Sequence, residues 1–217
     1  MELEKEQELK ILFCTGFITE ATINRYLFWV KYYSKIFFNY KLFIINDGIV
    51  QEKLKEDLYS INSNLKIFEF SDHLGRPSVC CHIGWWRSQY MMLNLFQNTP
   101  EISQILHIEN DVLIISSRME FFLKNSSHGW NSMWCPNHNF AEPAIQVMSR
   151  DCVDLISTLH EDIDKYSGVC AEYWLPFNVH KEYIGHRWES EPFLNYDEDF
   201  ACQIFDHPDS KIDKFFK

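Results

Sequence analysis

Basic residues are scarce in this sequence, and they are scattered along it. Lys and Arg together number 20 against 31 Asp and Glu, so the formal net charge is −11 at pH 7. A surface that binds nucleic acid needs grouped Lys and Arg, and we therefore expect no nucleic-acid partner. A small anionic ligand is still compatible with this composition, because a local pocket can hold it.

Long apolar runs are absent as well. No stretch approaches the ~18 residues that a helix needs to span a bilayer. The first ten residues are too acidic to begin a signal peptide. The sequence therefore predicts a cytoplasmic protein without a transmembrane segment.

The sequence also lacks cysteine pairs of the kind that bind zinc. Its seven cysteines are odd in number and include no CxxC pair, which argues against a disulfide framework or a zinc cluster. We expect most of them to be buried thiols.

The first hundred residues alternate between apolar runs and helical patterns. Three apolar runs predict strands and the intervening segments predict helices: strands at 10–14, 41–45 and 65–70, helices at 21–37, 51–59 and about 85–96. Further strands are expected at 129–135 and 144–148, and a helix at 150–159. This order predicts one α/β domain over 1–217, Rossmann-like, with a mostly parallel central sheet flanked by helices.

The apolar run 104–115 predicts one further strand, which two acidic residues, Glu109 and Asp111, interrupt. Residues two apart on a strand point to the same side, so both carboxylates are expected to face one pocket. Like charges at that spacing are costly unless a cation lies between them. Hard oxygen ligands suit Mg²⁺ or Mn²⁺, and such an ion implies a ligand that carries phosphate.

Three segments occur in the order found in GT-A glycosyltransferases, which the sequence resembles. They are Asp47 after the second strand, Arg87 on the helix before the acidic strand, and Glu109-Asn110-Asp111 as a variant of the DxD motif. The resemblance implies that Asp47 contacts the base or ribose, that Arg87 contacts the donor, and that the two carboxylates hold the metal and ribose.

Thr15, after the first strand, and Arg76, in the loop after the third, are further candidate residues of the donor site. A later segment, 180–189, distantly resembles the His-Gly-Lys-Trp segment of glycogenin-like retaining transferases. It implies that His186 is a further metal ligand and that Arg187 clamps the diphosphate.

Two further carboxylates are candidate catalytic bases. Glu142 precedes the predicted strand at 144–148, and Glu172 lies among aromatic residues that would raise its pKa. An inverting reaction needs such a base, whereas the resemblance at His186 and Arg187 points to retention. The stereochemistry therefore stays open, with a lean towards inversion and Glu172.

These features predict a metal-dependent glycosyltransferase of the hexosyltransferase type. A nucleotide-diphosphate sugar, with UDP favoured, is expected to bind the half over about 1–120, with Mn²⁺ or Mg²⁺ as the cofactor. A saccharide or glycoconjugate acceptor is expected to bind about 121–217. Two alternatives are a metal-dependent nucleotidyltransferase or phosphohydrolase, and a non-catalytic carbohydrate-binding domain. Nucleotidyltransferases usually have a Gly-rich, basic loop after the first strand, whereas this loop has one Gly and no basic residue, which counts against a nucleotidyltransferase.

Overall fold

The computed structural model describes residues 8–75, 82–114, 116–136, 139–156, 175, 177–186 and 199–203. Within these ranges the chain forms nine strands and five α-helices. The strands are β1 (Leu9–Gly16), β2 (Lys41–Asn46), β3 (Lys66–Glu69), β4 (Ile102–Ile108), β5 (Val112–Ile114), β6 (Trp130–Cys135), β7 (Phe140–Ser149), β8 (Asn178–His186) and β9 (Asp199–Gln203). The helices are α1 (Ile23–Ile36), α2 (Glu52–Ile61), α3 (Ile83–Asn98), α4 (Met119–Asn125) and α5 (Val153–Ile156), and a short 3-10 helix (Arg150–Cys152) precedes α5.

The strands form one mixed sheet in the order β3-β2-β1-β4-β7-β6-β8-β9-β5. The first four strands are parallel to one another. β7 is antiparallel to both β4 and β6, whereas β8 is parallel to β6 and β9. The predicted α/β architecture, with a mostly parallel sheet flanked by helices, is confirmed.

Helices cover both faces of the sheet because each has an apolar side. α1 buries Tyr26, Trp29, Val30 and Tyr33, which recur at the three- and four-residue spacing of one helix face. They join α2 and α4 in one core cluster. α3 packs on the opposite face with a second cluster. The central strands are therefore apolar on both sides, as expected for parallel strands.

The order of the first four strands creates a crevice between the chain connections at one end of the sheet. The chain passes from β1 to β2 on one side, while β4 pairs with β1 on the other side. Connections leave in opposite directions at such a point, and ligands of open α/β sheets bind in the crevice at the carboxyl ends of these strands. We therefore expect a ligand site at the residues that follow β1, β2 and β4.

The prediction of one continuous strand over 104–115 is wrong. β4 ends at Ile108, a turn follows, and β5 begins at Val112 and pairs with β9 instead. The turn closes through a 3.2 Å hydrogen bond from Val112 N–H to the Glu109 carbonyl. The two carboxylates therefore lie on a turn between strands, not within a strand.

β7 also differs from its prediction, since it begins at Phe140 instead of Ala144. Glu142 accordingly lies within the strand and not ahead of it. The pairing of β6 with β7 shifts between Ser132 and Met133, so Pro143 falls in a bulge. A bulge tolerates a proline that cannot donate to a sheet ladder. Of the helix predicted at 150–159, the structure describes the part up to Ile156.

Candidate active site

A cleft of about 410 Å³ lies at the carboxyl ends of β1, β2 and β4. Its walls come from the three strand ends, from the first residues of α1 and α3, and from the loop after β3. The lining residues are Thr15, Gly16, Phe17, Arg25, Asp47, His73, Gly75, His82, Gly84, Trp85, Glu109, Asn110 and Asp111. The cleft thus occupies the crevice that the strand order creates.

Glu109 and Asp111 both line this cleft, as the sequence predicted. Glu109 N–H donates a 2.9 Å hydrogen bond to the Ala144 carbonyl, which anchors the turn to β7. The Glu109 carboxylate accepts a 3.1 Å hydrogen bond from the Trp85 indole. Asp111 is buried, with 8% of its surface exposed.

Asn110, between the two acids, ties the turn to β1. Its side-chain amide donates a 2.7 Å hydrogen bond to the Thr15 carbonyl. At the next residue, Gly16, a Cβ atom would collide with the Tyr26 hydroxyl, and φ is 153°. Glycine is therefore required there for the turn to approach β1 and α1. Thr15 itself is buried at the floor of the cleft.

The two carboxylates create a negative potential that extends into the core. Burial raises the pKa of the Cys14 thiol well above its usual range, and the charges of Glu109 and Asp111 raise it further. The cysteine side chains that the structure describes, those of Cys14, Cys135 and Cys152, are buried. A cation bound between the two acids would reduce this potential.

Asp47 and Arg87 form an ion pair at one wall of the cleft. The Arg87 guanidinium contacts Asp47 Oδ1, and their side chains are 11% and 5% exposed. The Asp47 carboxylate also accepts a 2.7 Å hydrogen bond from Gly75 N–H and lies 3.4 Å from His73 Nε2. Asp47 therefore fixes the loop after β3 against the start of α3.

Arg87 continues this network beyond Asp47. It donates to the Asp72 carboxylate at 2.8 Å and to the Asp72 carbonyl at 2.7 Å, and its guanidinium lies 3.9 Å from the centre of the Phe70 ring. A Cβ at Gly84 would collide with the Asp47 carboxylate. The structure thus joins two residues for which the sequence predicted separate donor contacts.

A buried polar cluster lies beneath Trp85 and Glu109. His107, on β4, is fully buried and contacts the side-chain amide of Gln146 at 3.0 Å. Gln146 in turn accepts a 3.0 Å hydrogen bond from the Trp130 indole. Burial lowers the pKa of His107 to about 3, although a hydrogen bond with the Pro143 main chain partly offsets this effect. His107 is consequently neutral at physiological pH.

The remaining predicted residues do not line the cleft or lie outside the described residues. Glu142 is 2% exposed, and its carboxylate accepts a 3.2 Å hydrogen bond from Ala144 N–H. Gly185 of β8 packs closely against Glu142, since a Cβ there would lie 3.1 Å from Glu142 Cγ. Arg76, Glu172, Arg187 and the side chain of His186 lie outside the described residues.

Two acidic oxygen donors in one cleft suit Mg²⁺ or Mn²⁺ in their chemistry. Among the described side chains, no group of three or more His, Cys, Asp or Glu could hold a metal ion. The main chain of His186 pairs with Cys202 of β9, which pairs with Leu113 of β5. His186 therefore lies two strands, or ~10 Å, from the strand that follows Asp111.

The sequence interpretation missed several residues of the cleft. Arg25 comes from the first turn of α1, and Trp85 from the first turn of α3. Phe17 and His73 stack with ring centres 3.8 Å apart and ring planes 4° apart. Phe17 follows β1, so its place after a strand end was a usable signal. The other three depend on loop and helix packing that no motif encodes.

No protein-family model and no curated protein matches the chain. Solved structures do match it. A galactosyltransferase, LgtC, in complex with donor and acceptor sugar analogues aligns with a TM-score of 0.53 and 9% identity. An active-site mutant of LgtC aligns with a TM-score of 0.56 and 10% identity. Each alignment covers 96% of this chain and 94% of the LgtC chain.

A glycosyltransferase involved in glycosylation of the major capsid of PBCV-1 aligns at a TM-score of 0.47 with 13% identity, over 89% of this chain and 92% of that one. At such identities the likeness to LgtC shows the fold alone. The chain therefore has a GT-A-like glycosyltransferase fold. In the described part of the chain, no helix is long and apolar enough to cross a membrane.

Proposed function

We propose that this protein is a metal-dependent glycosyltransferase. It transfers a sugar from a nucleotide-diphosphate donor, with UDP favoured, to a saccharide or glycoconjugate acceptor. The observation that carries the proposal is the position of Glu109 and Asp111, which line one cleft at the carboxyl ends of β1, β2 and β4. The position of the cleft fits the fold, because open α/β sheets bind nucleotides in the crevice at the carboxyl ends of their strands.

The fold likeness supports the sugar as the transferred group. LgtC is a galactosyltransferase whose structure holds donor and acceptor sugar analogues. Its alignment covers 96% of this chain and 94% of the LgtC chain. We assign donor binding to about 1–120, which supplies the described residues that line the cleft, and acceptor binding to about 121–217.

Asp111 and Glu109 are the proposed protein ligands of Mn²⁺ or Mg²⁺, with His186 as a third. The sheet register supports His186, because β8 ends two strands away from β5. When bound, the ion would neutralise charge on the leaving nucleoside diphosphate. Asp111 is the more buried of the two acids, and both line the cleft where the ion would bind.

Donor orientation is assigned to the walls of the cleft. Thr15 and Gly16 bring the β1 main chain to the floor, and Asn110 holds it there. Asp47 and Arg87 order the wall formed by the loop after β3. We retain Arg76 and Arg187 as proposed contacts of the diphosphate, where positive charge would stabilise the departing anion.

Proton transfer from the acceptor hydroxyl is assigned to Glu172 ahead of Glu142. Glu142 is bonded to its own strand and almost fully buried, whereas a general base must reach the proton that it removes. This assignment implies inversion at the anomeric carbon. It is separate from the metal site, and either can fail without the other.

The experiment is incubation with Mn²⁺, a panel of nucleotide sugars and a panel of saccharide acceptors, with products followed by NMR. Sugar transfer with release of nucleoside diphosphate supports the proposal. A parallel incubation with sugar phosphates and nucleoside triphosphates tests the first alternative, because synthesis of a nucleotide sugar there would make the protein a nucleotidyltransferase. Donor or saccharide binding with no turnover of any pair would make it a binding domain.

A further inference from the structure

Trp85 and Glu109 are joined across two elements of the fold. Trp85 lies in the first turn of α3, and Glu109 follows β4. The indole Nε1–H donates a 3.1 Å hydrogen bond to Glu109 Oε1, and both residues line the cleft. The bond therefore acts directly on one of the two acids at the candidate site.

The Trp85 ring is itself held by aromatic neighbours. It packs edge-on against Trp86 at 5.1 Å between ring centres and against His107 at 6.4 Å. His107 in turn stacks on Phe13 at 4.6 Å and contacts Gln146 at 3.0 Å. A donor fixed by packing on several sides can fix the group that it bonds.

The length of Glu109 matches this contact. An aspartate at the same position would be shorter by one methylene, or ~1.5 Å. Its carboxylate would then lie beyond hydrogen-bond range of the indole at 3.1 Å. The bond to Trp85 therefore favours glutamate over aspartate at this position.

We propose that Trp85 is a positioning residue, whose indole N–H orients the Glu109 carboxylate towards the bound cation and donor. The inference rests on the proposed function. An indole is neutral, so it can orient a carboxylate without cancelling its charge. Groups that hydrogen-bond to metal ligands typically change metal affinity by ~10- to 100-fold.

The test is calorimetric titration of UDP in the presence of Mn²⁺, on the intact chain and on Trp85→Phe. We expect UDP affinity to fall ~10-fold in this variant, with its melting temperature measured in parallel. Trp134→Phe is the matched control. Trp134 lies on β6, does not line the cleft and has Lys181 over its ring, so the UDP affinity of this variant should equal that of the unmodified protein.

Glu109→Gln, alone and combined with Trp85→Phe, completes a double-mutant cycle. If Trp85 acts through Glu109, then Trp85→Phe should reduce affinity little in the Glu109→Gln background. Equal affinity of Trp85→Phe and the unmodified protein would overturn the inference, as would the same fold-loss in both backgrounds. Absence of Mn²⁺-dependent UDP binding by the unmodified protein would instead contradict the proposed function, and the inference with it.

A second measurement does not depend on the Trp85→Phe variant being folded. Glu109→Asp should shift one indole ¹⁵N–¹H resonance of the free protein, and in the unmodified protein UDP with Mg²⁺ should shift the same resonance. An indole spectrum that is identical in Glu109→Asp and the unmodified protein would overturn the inference.

Discussion

Asp47 and Glu109 follow β2 and β4 and line the same cleft. The side chains that contact their two carboxylates differ in charge. Asp47 pairs with the Arg87 guanidinium and accepts Gly75 N–H. Glu109 accepts a hydrogen bond from the neutral Trp85 indole. A cation cancels the charge of the acid that it pairs with, whereas an indole only orients it.

The comparison separates two uses of an acidic residue at a strand end. Asp47 stabilises a loop, and its charge is compensated within the chain. Glu109, with Asp111 two residues later, lines the cleft, and the charges of these two acids add to the effect of burial in raising the pKa of the Cys14 thiol. Both acids are carboxylates after apolar strands, so the sequence alone does not distinguish the two roles.

The largest effect on turnover should come from removing charge at the pair of acids formed by Glu109 and Asp111. Asp111→Asn keeps the shape of the side chain but loses the charge that holds the cation, so turnover should fall by ~10³-fold or more. Steady-state kinetics with saturating Mn²⁺ measures this. Asp57→Asn, the same change on the exposed face of α2, serves as the control. Turnover within a few-fold of the unmodified protein would remove Asp111 from the site.

The second prediction concerns the ion pair of Asp47 with Arg87 and its contribution to stability. Arg87→Ala leaves the Asp47 carboxylate buried without its guanidinium, which should lower the free energy of unfolding by ~3 kcal/mol. Chemical denaturation measures the loss. The double variant Asp47→Asn with Arg87→Ala should lose less than the sum of the two single variants. If Arg87→Ala instead keeps its stability and weakens donor binding, then Arg87 contacts the donor, as the sequence resemblance implies.

The third prediction extends the comparison to the acceptor side. Glu172→Gln should reduce turnover by ~10²-fold with nearly unchanged donor affinity, because the amide cannot accept the acceptor's proton. Glu142→Gln should instead act mainly on stability, since Glu142 is 2% exposed and bonded to Ala144. Near-normal turnover of Glu172→Gln, or a product with the donor's anomeric configuration by NMR, would show that no inverting base acts there.

The smallest effect concerns His107, which supports Trp85 from below. Between pH 6.5 and about 3 the unfolded chain protonates this histidine and the folded chain does not. Folding stability should therefore decrease as the pH falls through that window, by up to ~1.4 kcal/mol per pH unit from this group. His107→Gln should show a shallower decrease between pH 6 and pH 4 in denaturation experiments. Equal slopes would mean that His107 titrates alike in both states.

The regular parts of the fold were predictable because their patterns are local. The apolar runs of β1 and β2 and the spacing of Tyr26, Trp29 and Tyr33 in α1 each identify an element without reference to the rest of the chain. The turn that separates β4 from β5 was not predictable in this way. It depends on Asn110 reaching the Thr15 carbonyl, 95 residues away.

In the candidate site, the sequence indicates the two acids but not the groups that contact them. Glu109 and Asp111 stand out because carboxylates rarely follow a buried strand without a function. The contact of Trp85 with Glu109 and that of Arg87 with Asp47 join residues 24 and 40 positions apart. A sequence by default predicts a tryptophan in the core and an arginine at the surface. In this structure packing instead places Trp85 against Glu109 and Arg87 against Asp47.

The most direct test of the account is whether nucleotide binding requires the cation. UDP should bind the unmodified protein in the presence of Mn²⁺, lose most of its affinity when EDTA removes the ion, and recover it when Mn²⁺ is restored. The same titration on folded Asp111→Asn should show little binding with the ion present. UDP affinity that is equal with Mn²⁺ and with EDTA would contradict the claim that Glu109 and Asp111 form a metal-dependent donor site.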